Sequence, residues 1–285
     1  MAPARGSDPM TTTETLTAVP AWLVVAAAAA VAACLAVAGL ILRRIRQGLP
    51  LIAPTPNRPV PWDGNDVALV VLVYFSAAGL AAAATGPNPG VEPLLAVNVA
   101  INAAVTLLAI AWLRLRGADW FDLGLAPLRV PRDLALAVAG WAFVLAPLLA
   151  LAAALNSLVA YDHPVVSLLT QDRSLRAVAT VLAAAVVAAP IAEELFFRRI
   201  LLGWLDARLP SEGGSAAIVV SAAAFALAHQ GQGLAFVPLF PLGIVLGFIA
   251  HRTGSIVPCI LLHAFFNAVS VALLVADSGT AAATG

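Results

Sequence analysis

The chain contains no lysine: all fifteen of its basic residues are arginine, and fifteen acids balance them. A net charge of zero gives no argument for a nucleic-acid partner, which would need a basic face. Charged residues make up only 11% of the sequence, against about 25% in ordinary soluble domains. There is too little polar surface here to cover a water-soluble fold, and intrinsic disorder is excluded on the same ground. The two cysteines, Cys34 and Cys259, lie far apart in apolar surroundings, so neither a disulfide framework nor a cysteine zinc site can be built. A glycine-rich phosphate loop, an H-E-x-x-H helix and a nucleophile-elbow serine are all missing. What is present is apolar: 62% of residues, with a mean hydropathy of +0.97. Arginine without lysine, in an Ala-, Gly- and Pro-rich chain, points to a GC-rich bacterial genome.

A membrane span needs about 20 apolar residues at 1.5 Å rise each. Eight such runs are legible, over 21–42, 67–84, 94–113, 134–155, 177–202, 215–229, 234–250 and 255–275. The expected fold is therefore all-α, a polytopic membrane bundle of about eight transmembrane helices. Arg43, Arg44 and Arg46 follow the first run rather than precede it, so it reads as a retained span and not a signal peptide. Alternating the runs from an outside N-terminus puts twelve arginines towards the cytoplasm and leaves only Arg5, Arg173 and Arg176 outside, a strong positive-inside bias. Both termini are then expected outside a bacterial inner membrane. Residues 1–20 and 277–285 read as disordered tails flanking a single transmembrane domain, 21–276, because no connection is long enough for a second one.

Charge inside an apolar run is costly and marks function by default. Only the fifth run carries any, in Pro190-Ile-Ala-Glu193-Glu194-Leu-Phe-Phe-Arg198-Arg199. Glu194 and Arg198, four apart with the acid first, predict an ion pair on one helix face. Glu193 points about 100° away and is left without a local countercharge, the profile of a general base. Pro190, lacking an N–H, is expected to orphan the Val186 carbonyl and kink the helix one turn before the acids. His229, His263 and Asn267 fall at overlapping depths, about 21, 12 and 18 Å from the inner ends of their runs. One base, two imidazoles and an amide donor are the parts needed to activate water and stabilise an oxyanion. Asn98 and Asn102 are explained by interhelical hydrogen bonds, Gly243 and Gly247 by a close helix contact. His163 and His251 are assigned to solvated loops, and Phe196 and Phe197 to packing.

These residues resemble the CAAX-protease and bacteriocin-processing (ABI) family of intramembrane endopeptidases, related to the type II CAAX prenyl endopeptidase. Three motifs match in order: Glu193-Glu194-x-x-x-Arg198, Phe225-x-x-x-His229 and His263-x-x-x-Asn267. Arg252-Thr-Gly-Ser255 and Pro258 precede the third, and Leu123-Gly-Leu125 is also familiar, giving a family-like core over about 134–276. The resemblance implies a cavity open to the cytosol in which Glu193 and His229 activate a water, His263 and Asn267 form the oxyanion hole, and Glu194 with Arg198 supports them. Many members have glycine where this chain has Arg199, a cation able to narrow the cavity, meet a substrate carboxylate or reach the headgroups.

The expected activity is hydrolysis of peptide bonds in membrane-associated protein or peptide substrates near the cytosolic face, in contact with the bilayer and with no nucleic acid. A zinc metalloprotease with Glu193, His229 and His263 as ligands remains the alternative chemistry. The metal-free scheme is favoured, since asparagine is a poor zinc ligand. A non-enzymatic immunity or scaffold protein on the same fold is the rival class. A proton-coupled transporter is disfavoured by the lack of an internal repeat.

Overall fold

The computed structural model describes residues 21–55, 58–85, 90–159, 165, 168–169, 172 and 174–282, with side chains as far as Val275. The 1–20 segment, Arg173 and His163 lie outside the described residues. Among those described, the chain is helical: α1 (Ala21–Arg46), α2 (Gly64–Thr85), α3 (Val91–Leu115), α4 (Val130–Asn156), α5 (Leu175–Arg208), α6 (Ser215–Leu227), α7 (Phe236–Thr253) and α8 (Val257–Ala282). Most of these outrun their hydropathy signal. Asp66, Glu92 and Asp133 enter the first turns of α2, α3 and α4, where an acid complements the helix dipole. The last helix continues past position 275, into the segment read as a tail.

One run falls short. Among the described residues seven helices are long and apolar enough to cross a bilayer, but α6 has 13 residues and spans about 20 Å, against a hydrocarbon thickness of about 30 Å. The seven long helices and this shorter one together match the bundle of about eight helices expected. The polar stretch His229-Gln-Gly-Gln-Gly233 ends α6 in a series of turns before α7 begins. Irregular backbone of this kind at membrane depth is tolerated only where protein or a wet cavity surrounds it.

The bundle is inverted relative to a soluble protein, with large apolar side chains such as Val25, Leu35, Phe75 and Leu80 on the outside. At its centre runs α5, which contributes to all three buried clusters. Ala177, Val181 and Ala184 pack with Leu95 and Val271. Leu195 and Ile200 pack with Trp62, Val105 and Leu113. Leu202 and Leu205 pack with Ile218, Leu246 and Leu262. Gly243 and Gly247 let α7 close on α6, a Cβ at Gly243 falling 3.0–3.3 Å from Ala222, its backbone included. Asn102 is corrected: its Nδ2 donates to Asn98 within α3, at 2.8 Å to Oδ1 and 3.1 Å to the carbonyl, not across helices. The cysteines are free thiols directed at backbone carbonyls, Cys34 at Phe143 and Cys259 at Leu246.

At one end of the bundle the connections interlock. The Thr55 N–H donates to the Arg252 carbonyl and the Ile256 N–H to that of Gly124. Asp66, buried at the foot of α2, accepts from Trp112 at 2.8 Å and pairs with Arg116 at 3.2 Å. Arg58 pairs with Asp119, whose carboxyl is held below the usual range chiefly by the backbone N–H of Asp122, with that of Phe121 and Arg58 adding to it. His251 is not a solvated turn residue. Its Nε2 meets Asp206 at 3.2 Å and its ring occupies the space over Gly214. Gly124 has φ +70°, and a Cβ there would stand 3.2 Å from the Ile256 nitrogen and 3.3 Å from the Gly254 oxygen. Gly124→Ala is therefore expected to destabilise the protein by about 1–2 kcal/mol, read as a lower thermal midpoint in detergent.

Candidate active site

The site is built on an irregular α5. Two stretches, Leu182–Ala188 and Glu194–Leu201, wind as π-helix, with one α-helical turn, Ala189–Glu193, between them. π-bulges are rare and concentrate at functional sites. Ahead of Pro190 the register is five residues rather than the four expected. The Ala189 N–H bonds to the Ala184 carbonyl, so the next bond in that register would run from position 190 to Ala185. Proline has no N–H to give, and the Ala185 carbonyl is left without that donor. Asn267 of α8 fills the vacancy, its Nδ2 donating to the Ala185 oxygen at 2.7 Å. The second π stretch is supported in the same way. Ser221 of α6 donates to the Phe197 carbonyl at 2.7 Å, and Trp62 to that of Ile200 at 3.0 Å.

The expected pairing of Glu194 with Arg198 is present, Arg198 Nε standing 3.2 Å from Glu194 Oε2 with both side chains almost wholly buried. The guanidinium lies 4.1 Å over the Phe225 ring, an arrangement that offsets its loss of water. Glu194 does more than pair with it. Its second oxygen, Oε1, sits 2.8 Å from His263 Nδ1, so one carboxylate joins the arginine of its own helix to the imidazole of α8. His263 Nε2 then faces Glu193, 3.9 Å from Oε2. Glu193 retains about a quarter of its side-chain exposure, and its Oε2 has no hydrogen-bond partner among the described residues.

His229 stands apart from this chain of contacts. Its Nδ1 lies 2.9 Å from the Phe225 carbonyl at the frayed end of α6. With Nδ1–H donated there, the neutral ring presents Nε2 as an acceptor. No hydrogen bond or ion pair joins it to Glu193 among the described residues. Phe225 mediates instead, in edge contact with His229 at 5.0 Å, His263 at 5.7 Å and Phe197 at 5.3 Å. Among the described residues no three His, Cys, Asp or Glu side chains come together in a way that could hold a metal ion. Glu193, His229 and His263 are not assembled as a three-donor set.

One further residue escaped the sequence reading. Tyr74 of α2 lies within electrostatic range of the Glu193 carboxylate, and its only signal is that it is the one tyrosine within an apolar run. Arg199 does not reach for headgroups. Its Nε donates to the Asp122 carbonyl and its guanidinium lies 5.9 Å from the Trp62 ring, tying α5 to the α3–α4 connection. Phe196 and Phe197 meet edge to face, as packing requires.

Fold and site together define a polytopic helical membrane protein with a carboxylate–imidazole centre inside the bundle. Residues 175–269, about a third of the chain and the part that carries the whole site, match the family model described as Type II CAAX prenyl endopeptidase Rce1-like, a protease family. No curated protein and no solved structure matches the chain.

Proposed function

We propose that the chain is an intramembrane endopeptidase of the CAAX type, hydrolysing peptide bonds of membrane-associated protein or peptide substrates near the cytosolic face. The observation that carries this reading is Glu193: a carboxylate inside the membrane, partly accessible, with a free oxygen turned towards an imidazole that a second carboxylate holds in place. Glu193 takes a proton from a water, which attacks the scissile carbonyl; as the tetrahedral intermediate collapses and its C–N bond breaks, the Glu193 carboxyl returns that proton to the leaving amine. His229 Nε2 accepts a hydrogen bond from the same water. His263, fixed through Nδ1 by Glu194, places Nε2 against the reacting centre and donates from it when the ring carries its second proton. Asn267 has two amide protons; the one not given to Ala185 serves the oxyanion. The arginine-rich end of the bundle faces the cytosol by the positive-inside rule, with both termini on the other side of a bacterial plasma membrane.

The test compares new protein termini across the membrane proteome of cells carrying the wild-type chain and cells carrying Glu193→Gln at matched levels. Termini that disappear in the variant identify a protease and its substrates. Identical termini with an intact cellular phenotype would instead assign the chain to a non-enzymatic immunity or scaffold role.

A further inference from the structure

At the arginine-rich end, the foot of the seam between α1 and α4 opens into a groove of about 480 Å³. Arg44, Arg129 and Arg132 line it together with Leu51, Ile52 and Leu136. We propose that this groove binds an anionic phospholipid, the three guanidiniums holding its phosphodiester and the leucine and isoleucine side chains its glycerol and upper acyl carbons.

Five observations converge on this ligand. The volume lies within the about 300–1,000 Å³ usual for ligand sites. No acid lines the groove, and none of the three guanidiniums is in an ion pair among the described residues, whereas Arg58, Arg116, Arg176 and Arg198 all are. Asp133, next to Arg132 in the sequence, is buried and accepts the backbone N–H of Arg129 at 3.2 Å. The groove is also shaped rather than incidental. Arg44 donates from Nε to the Pro50 carbonyl at 3.0 Å, which fixes the guanidinium beside the loop that forms one wall.

The remaining two concern access and order. Helix α1 has no buried residue and packs chiefly on α4, so the seam opens to lipid. On α4, Arg132 and Leu136 are four residues apart on one face, which stacks a cation at headgroup level above an apolar side chain, the vertical order of a phospholipid. Basic pockets between helices at the cytoplasmic surface recognise acidic headgroups, at about 1 kcal/mol per arginine.

The full-length protein in nanodiscs of phosphatidylcholine with a rising fraction of phosphatidylglycerol supplies the test, bound lipid being counted by native mass spectrometry. Wild type is expected to retain phosphatidylglycerol selectively. The Arg44→Gln/Arg129→Gln/Arg132→Gln variant should hold it about 100-fold more weakly, roughly fivefold per arginine. If the triple variant fails to fold, Arg129→Gln alone, a change at an exposed side chain, carries the comparison with an expected fivefold loss. Equal retention by variant and wild type overturns the proposal. Displacement of phosphatidylglycerol by millimolar inorganic phosphate overturns it as a lipid site and leaves a free-phosphate site. Since no peptide substrate enters the measurement, its outcome is independent of whether the chain proves to be a protease.

Discussion

Glu193→Gln is expected to lower the cleavage rate by about 10²–10⁴-fold, the range for loss of a general base, while the thermal midpoint in detergent stays within a degree or two of wild type. The amide keeps the shape and removes the charge from an oxygen that has no hydrogen-bond partner to lose. Glu194→Gln, one residue along, should invert the pattern. Its carboxylate is fully buried between Arg198 and His263, and neutralising it leaves the Arg198 cation buried without a countercharge. Breaking a buried pair from one side costs about 3–5 kcal/mol, so a large fall in the midpoint should accompany the loss of activity. Purified variants assayed on one fluorogenic peptide and melted in one detergent separate the two roles. Equal midpoints with equal loss of rate would show that both glutamates act on the reacting atoms.

The second large effect concerns Asn267. Removing its amide leaves the Ala185 carbonyl without a donor inside the membrane, where the loss of a buried partner costs about 1–3 kcal/mol. Asn267→Ala is expected to lower the midpoint accordingly, with activity falling as α5 loses its π register and Glu193 shifts. Pro190→Ala in the same background restores an N–H to position 190 and should recover most of the lost stability. An asparagine that acted only on the oxyanion would behave differently: the single variant would lose rate at an unchanged midpoint, and Pro190→Ala would recover nothing. Thermal unfolding of the single and double variants decides the matter.

What could be read from the sequence was what spacing and hydropathy encode. Apolar runs located α1 to α8, and the four-residue interval predicted the pairing of Glu194 with Arg198, because both properties are local. The contact between Glu194 and His263 joins residues 69 positions apart and has no local trace. The π-winding of α5 was equally hidden, since the i→i+5 register is stabilised by Asn267, Ser221 and Trp62, donors from other parts of the chain. The shortness of α6 was legible in principle. Gln230, Gly231, Gln232 and Gly233 announce irregular backbone, and the apolar residues on either side masked it. Arg199 was set against glycine as an anomaly of the cavity, yet its partner is a backbone carbonyl in a connection to which no motif assigned a role.

The unequal lengths of α1 and α6 also bear on where such a protein resides. With 22 residues before Arg43 in α1 and 13 in α6, they offer the surrounding lipid hydrophobic walls of about 33 and 20 Å. One bilayer cannot match both without tilting or thinning locally, at a cost of fractions of a kcal/mol per Å. A thin membrane favours the α6 flank and a thick one favours α1, so bilayer thickness becomes a variable that sorts the protein among membranes and sets how deformed the lipid is beside the helix that ends just before His229.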